Sequence, residues 1–460
     1  MKYLTLFWRI FKIDLPRVLV VLSVGGVLVS AQFANAAMCQ MVFERTGELV
    51  APLDVLRLYE ASQNLSRKVR DNAPFYWADA RVRRDLLGWT ALPEVLKAEV
   101  IVIGDLHSGN FSPLLVPGKG VLYTLFDVKD LGHGPALLDI NRLALNTVAV
   151  ASRRRVLSET EEVDLYREIL THYRDGLAAT EYRLTESFVE ALPSEKKFRR
   201  KLDRKAENKT DDDGVLETDG EMTVPLAEAS ARLGLSEAGI REALLESYRA
   251  HGGYGQILDA ALSVRDRGGS KELMRILATF KTSDDVLVMK EFKEVGDSAL
   301  SAFANQPEMA TVRRRVAEFL DYDIEMQFPL TMIGETRFSM RDKKIESISV
   351  PYKQKTPEEF AFLMRLAKEH AVWVGTFHGR QLDQQAGRVR EEYADALVEN
   401  EVGLIENLRR FNRRHLEVFR SQPPVRSGQG RPMGAVSEPR EVKEKPSFGR
   451  RGLNFLLGKQ

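Results

Sequence analysis

The sequence has few of the residues on which several common functional sites depend. Its 460 residues include one cysteine, Cys39, which excludes an intramolecular disulfide and a cysteine-based zinc site. The formal net charge is only +1, because 67 Lys and Arg residues balance 66 Asp and Glu residues. Proteins built around nucleic acid usually have a basic excess, so we predict no nucleic-acid partner. Walker-loop, GxSxG and HExxH motifs are also missing from the sequence, which removes the most recognisable signatures of NTPases, hydrolases and metalloproteases.

Long apolar runs are also scarce, and the clearest one lies near the amino terminus. It extends from Val18 to Phe33, which is shorter than the roughly 20 residues of a membrane-spanning helix. A basic stretch precedes it, and Ala34-Asn35-Ala36 follows it with the small-x-small pattern of a signal-peptidase site. We therefore predict that residues 1–36 are a signal peptide and that the protein is exported to the periplasm. An uncleaved inner-membrane anchor is the alternative, and membrane contact is expected only through this segment.

The remaining sequence alternates between helical and strand-like patterns, which predicts an α+β fold. Hydrophobic content of 44% and charged content of 29% are ordinary for a globular protein. Short β-branched or apolar runs predict strands at Val100–Ile103, Val121–Asp127, Leu273–Phe280, Val286–Lys290 and within Ile333–Val350. Helical spacing predicts helices at Leu137–Val150, Ser298–Leu320, Pro357–Leu382 and Val389–Val418.

Polar residues that suit catalysis follow two of the predicted strands. Asp105, His107 and Asn110 come directly after the first strand, and Asp127 ends the second. Carboxylate and amide oxygens suit magnesium, which completes its shell with water and phosphate oxygens. A free carboxylate beside such a site could accept a proton from a hydroxyl nucleophile. The pattern therefore predicts one functional site, in which His107 either takes part in catalysis or fixes the loop by hydrogen bonds.

These two segments, GDLHSGN and LFD, resemble the catalytic core of aminoglycoside phosphotransferases and choline kinases, whose motif is similar to HGDxHxxN followed by a strand and an Asp. The resemblance implies that Asp105 positions the acceptor hydroxyl as a base, and that Asn110 and Asp127 hold magnesium on the nucleotide phosphates. It also assigns the structural Asp of the following helix to Asp139.

A closer resemblance is to the bacterial domain-of-unknown-function family 2252. Its pattern of GDAHLxNFG, FDxNDFDE, GP and WDxKRLA is similar to the segments GDLHSGNF, FDVKD, GP and LDINRLA of this chain. The segments that look like a kinase amino lobe come later in the sequence, as in a circular permutation. The resemblance implies that Gly268 and Gly269 cover the phosphates and that Lys290, in Met289-Lys290-Glu291, pairs with them. Glu308 and Glu318 both stay open as its glutamate partner.

The resemblance thus implies a protein-kinase-like fold of two lobes in permuted order, with a helix-rich larger lobe and a small antiparallel sheet lobe. The predicted divisions are a helical lobe at 40–255 with an acidic loop at 205–220, a sheet lobe at 256–352, C-terminal helices at 353–420 and a flexible tail at 421–460. The implied function is that of a kinase-like protein that binds ATP and Mg²⁺ and phosphorylates a small-molecule or protein hydroxyl.

Two alternatives stay open at this point. Export argues for a non-catalytic, pseudokinase-like envelope protein, because ATP is scarce outside the cytoplasm; use of another phosphorylated donor, or an anchor that leaves the domain inside, fits equally. The segment Ile103-Gly104-Asp105-Leu106-His107 also resembles the opening motif of metal-dependent phosphoesterases. Their later GDxxDRG and GNH motifs are missing from this sequence.

Overall fold

A computed structural model describes residues 65–70, 73–152, 157–182, 222–264, 273–342, 357–385 and 387–421, together with six isolated positions between 185 and 200. The predicted leader 1–36, the acidic loop 205–220, Gly268, Gly269 and the tail after Ser421 lie outside these residues. None of the helices in the described ranges is both long and apolar enough to cross a membrane.

The described residues form a mixed helix-and-sheet structure, as the sequence predicts. The helices are α1 Leu65–Arg70, α2 Ala73–Val82, α3 Ala136–Ala151, α4 Glu159–Ala178, α5 Ser230–Leu233, α6 Glu237–Ala250, α7 Met309–Val316, α8 Ile324–Gln327, α9 Pro357–Leu382, α10 Val389–Glu399 and α11 Glu401–Ser421. The strands are β1 Glu99–Val102, β2 Phe111–Val116, β3 Gly120–Leu125, β4 Gly132–Pro135, β5 Met222–Pro225, β6 Gln256–Val264, β7 Arg275–Lys281, β8 Leu287–Glu294, β9 Leu330–Ile333 and β10 Thr336–Asp342.

Six of the described strands form one antiparallel sheet in the order β5-β6-β7-β8-β10-β9. One face of this sheet is covered by apolar side chains of α6, including Ile240, Leu244 and Tyr248, which pack with Phe280 and Phe292 of the strands. Because side chains alternate between the two faces of a strand, the charged residues at odd positions of β7, β8 and β10 point to the other face. The predicted sheet lobe begins at residue 256, but β5 and α6 precede that residue and also belong to this sheet layer.

Two antiparallel ribbons, β1–β4 and β2–β3, carry the segments that the sequence singles out. Helix α3 follows β4 directly, and all of its residues are buried. Five of these are polar or charged: Asp139, Asn141, Arg142, Asn146 and Thr147. Burying a charged side chain costs free energy unless the charge is paired, so Asp139 and Arg142 need partners inside the protein.

The helix prediction at Pro357–Leu382 is confirmed by α9, and two other helix predictions are wrong in part. Within Ser298–Leu320 only a short 3₁₀ turn at Ala299–Ala302 and α7 are helical, because Pro307 restricts the residue before it to extended backbone. The predicted helix at Val389–Val418 is divided into α10 and α11 at Asn400, whose side-chain amide donates to the carbonyl of Ala396. Strands β2, β4, β5 and β6 were not predicted, since their apolar runs are short or interrupted.

Helices α4 and α9 approach each other closely at glycine positions. A Cβ on Gly375 would lie 2.1 Å from the carbonyl oxygen of Tyr173, and one on Gly176 would lie 2.2 Å from that of Val372. Both obstacles are backbone atoms, which cannot rotate away as a flexible side chain can. The close contact of these two helices therefore requires glycine, which has no side chain, at positions 176 and 375.

We expect Gly375→Ala to lower the free energy of unfolding by about 2 kcal/mol, because overpacking forces the two helices apart. Chemical denaturation followed by circular dichroism measures this change. Gly403→Ala in α11 is the matched control, since nothing lies within 4 Å of the added Cβ. Alanine is the better helix former, so the control should gain up to about 1 kcal/mol. Equal effects of the two substitutions would contradict the close-contact explanation.

Candidate functional site

The loop after β1 is fixed by buried hydrogen bonds from the helices beneath it. The Asp139 carboxylate accepts from the backbone N–H groups of Ile103 at 2.9 Å and Gly104 at 3.1 Å, and the Trp77 indole donates to the Gly104 carbonyl at 2.6 Å. Gly104 has a φ of +78°, and a Cβ there would lie 2.2 Å from the Asp130 carbonyl oxygen. The chain therefore requires glycine at the point where it turns into the loop.

Asp105 lies next in this loop and is almost completely buried. Its Oδ1 accepts from an Nη of Arg142 at 2.8 Å, and its Oδ2 lies 3.7 Å from His107 Nε2. Burial raises the pKa of Asp105 to about 6, while Arg142 and Lys129 act against this rise. The carboxyl is therefore mainly ionised at neutral pH but is a stronger base than an ordinary aspartate, which suits proton transfer.

His107 and Asn110 hold the loop together. The backbone N–H of His107 donates to Asn110 Oδ1 at 2.8 Å, and His107 Nδ1 accepts from the N–H of Gly109 at 2.9 Å. The carbonyl of Asn110 in turn accepts from the backbone N–H groups of Phe126 and Asp127, at 2.7 and 3.3 Å. The two segments that the sequence pairs are thus adjacent, and His107 makes hydrogen bonds within the loop.

Asp127 meets a lysine of the six-stranded sheet. Its two carboxylate oxygens lie 3.3 and 3.2 Å from Lys293 Nζ, in the middle of the sheet on β8. Burial acts to raise the pKa of Asp127, but Lys293 and Arg341 hold it well below its usual range, and Lys129 and Arg275 act in the same direction. The side chain of Asp127 is 28% exposed, so a ligand can reach this carboxylate from the solvent side.

Lys293 is buried, with only 4% of its side chain exposed. Burial lowers the pKa of Lys293 to about 7; Asp127 opposes this, whereas the neighbouring Arg341, Arg275 and Lys129 lower it further. An ammonium group in this position is stabilised by any further negative charge, because the cations around it repel it and water is largely excluded.

The resemblance implies that Lys290 pairs with phosphates held beside Asp127, but the structure places this lysine on the other face of the sheet. Residues 290 and 293 are separated by an odd number of positions on β8, so their side chains leave opposite faces of the sheet. Lys290 pairs with Asp342 at 2.6 Å, and its Nζ lies 6.0 Å from the Tyr248 ring centre on the face covered by α6. Phe292-Lys293-Glu294 repeats the apolar-Lys-Glu pattern three residues later, so the motif alone cannot choose between the two lysines.

Two arginines on the same sheet face share one buried glutamate. Glu291 accepts from Arg275 at 2.9 Å and from Arg341 at 2.6 Å, and the Arg341 guanidinium lies 5.1 Å from the Phe126 ring centre. This sharing fixes both guanidinium groups beside Lys293. Glu308, one of the two glutamates predicted as a lysine partner, instead pairs with Arg337 at 2.7 Å.

A cleft opens between the sheet and the segment that contains Asp127. Its enclosed volume is small, about 20 Å³, and the rest of the cleft is open to solvent. The charged groups on its wall include Asp127, Lys129, Lys293 and Arg341. Lys129 forms a close ion pair with Asp130, and the neighbouring carboxylates raise the pKa of Lys129 despite its burial. The cleft therefore presents several fixed cations around the exposed oxygens of Asp127.

The oxygens of the predicted magnesium ligands already contact donor groups of the protein. Asn110 Oδ1 already accepts from a backbone N–H, and both oxygens of Asp127 face Lys293. Asp105 and Asp130 are likewise bound to protein cations. Within the described ranges, no group of three or more His, Cys, Asp or Glu side chains is placed to hold a metal ion. A magnesium ion at Asp127 would therefore share these carboxylate oxygens with the Lys293 ammonium.

Sequence reasoning missed three members of this site. Lys293 was overlooked because Lys290 has the same local pattern, and Arg142 was read only as part of the segment LDINRLA. Lys129 was read only as a position in FDVKD. Side chains alternate between the two faces of β8, so Lys290 shares the covered face with the apolar Phe292 and Lys293 lies on the other face. This alternation could have favoured Lys293 over Lys290. The pairing of Arg142 with Asp105 has no local signal.

The described fold and site define an α+β protein with a cluster of buried, mutually paired charges beside a cleft. Residues 87–225 match the family model described as an uncharacterized protein conserved in bacteria (DUF2252), and this match supports that domain family for this part of the chain. The matched segment contains Asp105, Asp127, Asp139 and Arg142, whereas Lys293 lies beyond it. No curated protein matches the chain, and no solved structure matches it.

Proposed function

We propose that this chain is a kinase-like protein whose cleft binds the phosphate groups of a nucleoside triphosphate such as ATP. The observation that carries the proposal is the pair of Asp127 and Lys293, which joins the loop segment to the antiparallel sheet across the cleft at 3.2 Å. The resemblance places the same two residue types at the phosphates of a bound nucleotide. Lys293 replaces Lys290 in this role.

The charges around the cleft support an anionic ligand. An anion beside Asp127 would meet Lys293, Lys129 and Arg341, which line the same wall. Hydrogen bonds between such cations and phosphate oxygens are short and strong. They are stronger in a site with restricted access to water than in bulk water. Burial lowers the pKa of Lys293, and repulsion from the neighbouring cations lowers it further; a bound phosphate group would offset this repulsion.

The position of Asp139 supports the kinase-like arrangement of the loop. The resemblance gives this residue the role of a structural aspartate beneath the catalytic loop, and its carboxylate holds the backbone N–H groups of Ile103 and Gly104. These bonds fix the loop just before Asp105. A base must be held in place in this way if it is to meet an acceptor hydroxyl in a productive geometry.

Asp105 is proposed as the base in transfer of the terminal phosphoryl group to a small-molecule or protein hydroxyl. In this step the hydroxyl oxygen forms a bond to the γ-phosphorus while the bond from that phosphorus to the β–γ bridging oxygen breaks. The hydroxyl proton passes to Asp105, and the nucleoside diphosphate leaves. The carboxyl has a pKa of about 6, so it is available to accept the proton at neutral pH.

Calorimetric titration of the full chain with ATP, ADP, AMP and adenosine tests the proposal. We expect one site per chain and an affinity that falls with each phosphate removed, because the cations of the cleft contact phosphates. Raising the salt concentration should weaken ATP binding more than adenosine binding. Failure of ATP to bind, or equal affinities for ATP and adenosine, would contradict the proposed function.

A further inference from the structure

Lys129 occupies a fixed position beside the exposed carboxylate of the site. It lies on the segment between β3 and β4, lines the cleft with Asp127 and Lys293, and is 19% exposed. Its ammonium group is in close contact with Asp130 Oδ2. The cleft wall therefore contains a lysine as well as Asp127, one of the two predicted metal ligands.

Asp130 holds this lysine in a defined orientation. Its Oδ1 accepts from the backbone N–H of Ala299 at 3.3 Å, and its carbonyl accepts from the Ser298 hydroxyl at 2.8 Å. Asp130 is itself buried, with 9% of its side chain exposed. Contacts on two sides therefore keep the carboxylate in place, and the ammonium that it binds is positioned before any ligand arrives. Preorganised charge of this kind stabilises a bound anion without a reorganisation cost.

The other carboxylates of the cluster also have cations supplied by the protein. Arg142 binds Asp105 at 2.8 Å, and Lys293 lies 3.2 Å from Asp127. A divalent ion entering beside Asp127 would be repelled by the ammonium groups of Lys129 and Lys293. The bound phosphates of a nucleotide, in contrast, would add negative charge where these ammonium groups lie.

We propose that Lys129 provides the positive charge that a divalent cation provides at the phosphates of other nucleotide sites, so that this cleft binds a nucleoside triphosphate without a divalent metal. The inference rests on the proposed function and makes it more specific. The ligand form recognised is the free triphosphate anion rather than its magnesium complex. Removing Lys129 should then create a need for the metal that the natural protein does not have.

The test compares ATP binding by calorimetry in excess EDTA and in excess MgCl₂, for the natural chain and for Lys129→Asn. We expect the natural chain to bind ATP with affinities within about threefold of each other in the two conditions. Lys129→Asn should lose at least about tenfold in EDTA and recover most of this loss with magnesium, because asparagine offers a neutral oxygen donor. Lys281→Asn is the matched control, since Lys281 is 40% exposed and pairs with Asp285 at the end of β7.

The outcomes separate this inference from the proposed function. If the natural chain binds ATP only with magnesium, the proposed function stands and the role of Lys129 is overturned. If it binds ATP in neither condition, both are overturned. The natural chain alone decides between these outcomes, so the test does not depend on the folding of Lys129→Asn. Equal affinity of Lys129→Asn and the natural chain in EDTA would also overturn the inference.

Discussion

Lys293→Met is expected to weaken ATP binding by about 10- to 100-fold, whereas Lys290→Met should change it by less than about twofold. A charged hydrogen bond to phosphate contributes about 1.5–3 kcal/mol, which corresponds to this loss of affinity. Lys293 lies on the cleft face of β8 beside Asp127, and Lys290 lies on the opposite face beside Asp342. Calorimetric titration of both variants with ATP measures the difference.

Lys293→Met should still fold, which makes the comparison informative. Burial lowers the pKa of Lys293 to about 7, which means that the folded state destabilises the charged ammonium. Methionine has no charge and therefore does not carry this cost in free energy. Asp127 keeps Arg341, Lys129 and Arg275 as neighbouring cations after the substitution. Thermal unfolding should therefore change little for either lysine variant. Equal losses of ATP binding in the two variants, or a loss only in Lys290→Met, would contradict the assignment.

Asp105→Asn is expected to lower the rate of phosphoryl transfer by about 10²- to 10⁴-fold, the range that a general base contributes. The affinity for ATP should change by less than about threefold, because Asp105 acts on the acceptor and not on the nucleotide phosphates. ATP hydrolysis at saturating ATP measures the rate, with water in place of the hydroxyl acceptor. Asp164→Asn is the control, since Asp164 is 58% exposed and pairs only with Arg167 on the surface of α4.

The pH dependence of the same reaction has a defined sign. The base acts in its ionised form, and the pKa of Asp105 is raised to about 6. The rate for the natural chain should therefore fall as the pH is lowered through about 6, with a tenfold loss per pH unit below that value. Asp105→Asn should show no such inflection. A natural chain that loses activity only near pH 4, as an ordinary aspartate would, contradicts the role of Asp105.

Much of the local structure could be predicted from the sequence because short-range rules decide it. The strand that leads into Gly104, the following polar loop and the long helix at Pro357–Leu382 agree with the predicted elements. The position of Asp139 on a helix was also predicted, and its carboxylate accepts hydrogen bonds from the loop. The two polar segments are adjacent because β2 and β3 pair, as neighbouring strands joined by a tight turn commonly do.

Which charged groups meet was decided only by the tertiary structure. A shift by one position along a strand moves a side chain to the other face, so the repeated Lys-Glu pattern of β8 does not determine which lysine faces the cleft until the sheet packs on α6. Arg142 reaches Asp105 because α3 is buried directly behind the loop, and the two residues are distant in the sequence. The amino-acid sequence by itself thus determined the strand-end loop, its carboxylates and the α+β class. Packing decided which cations surround those carboxylates, because burial makes each charge depend on partners that come from other elements of the fold.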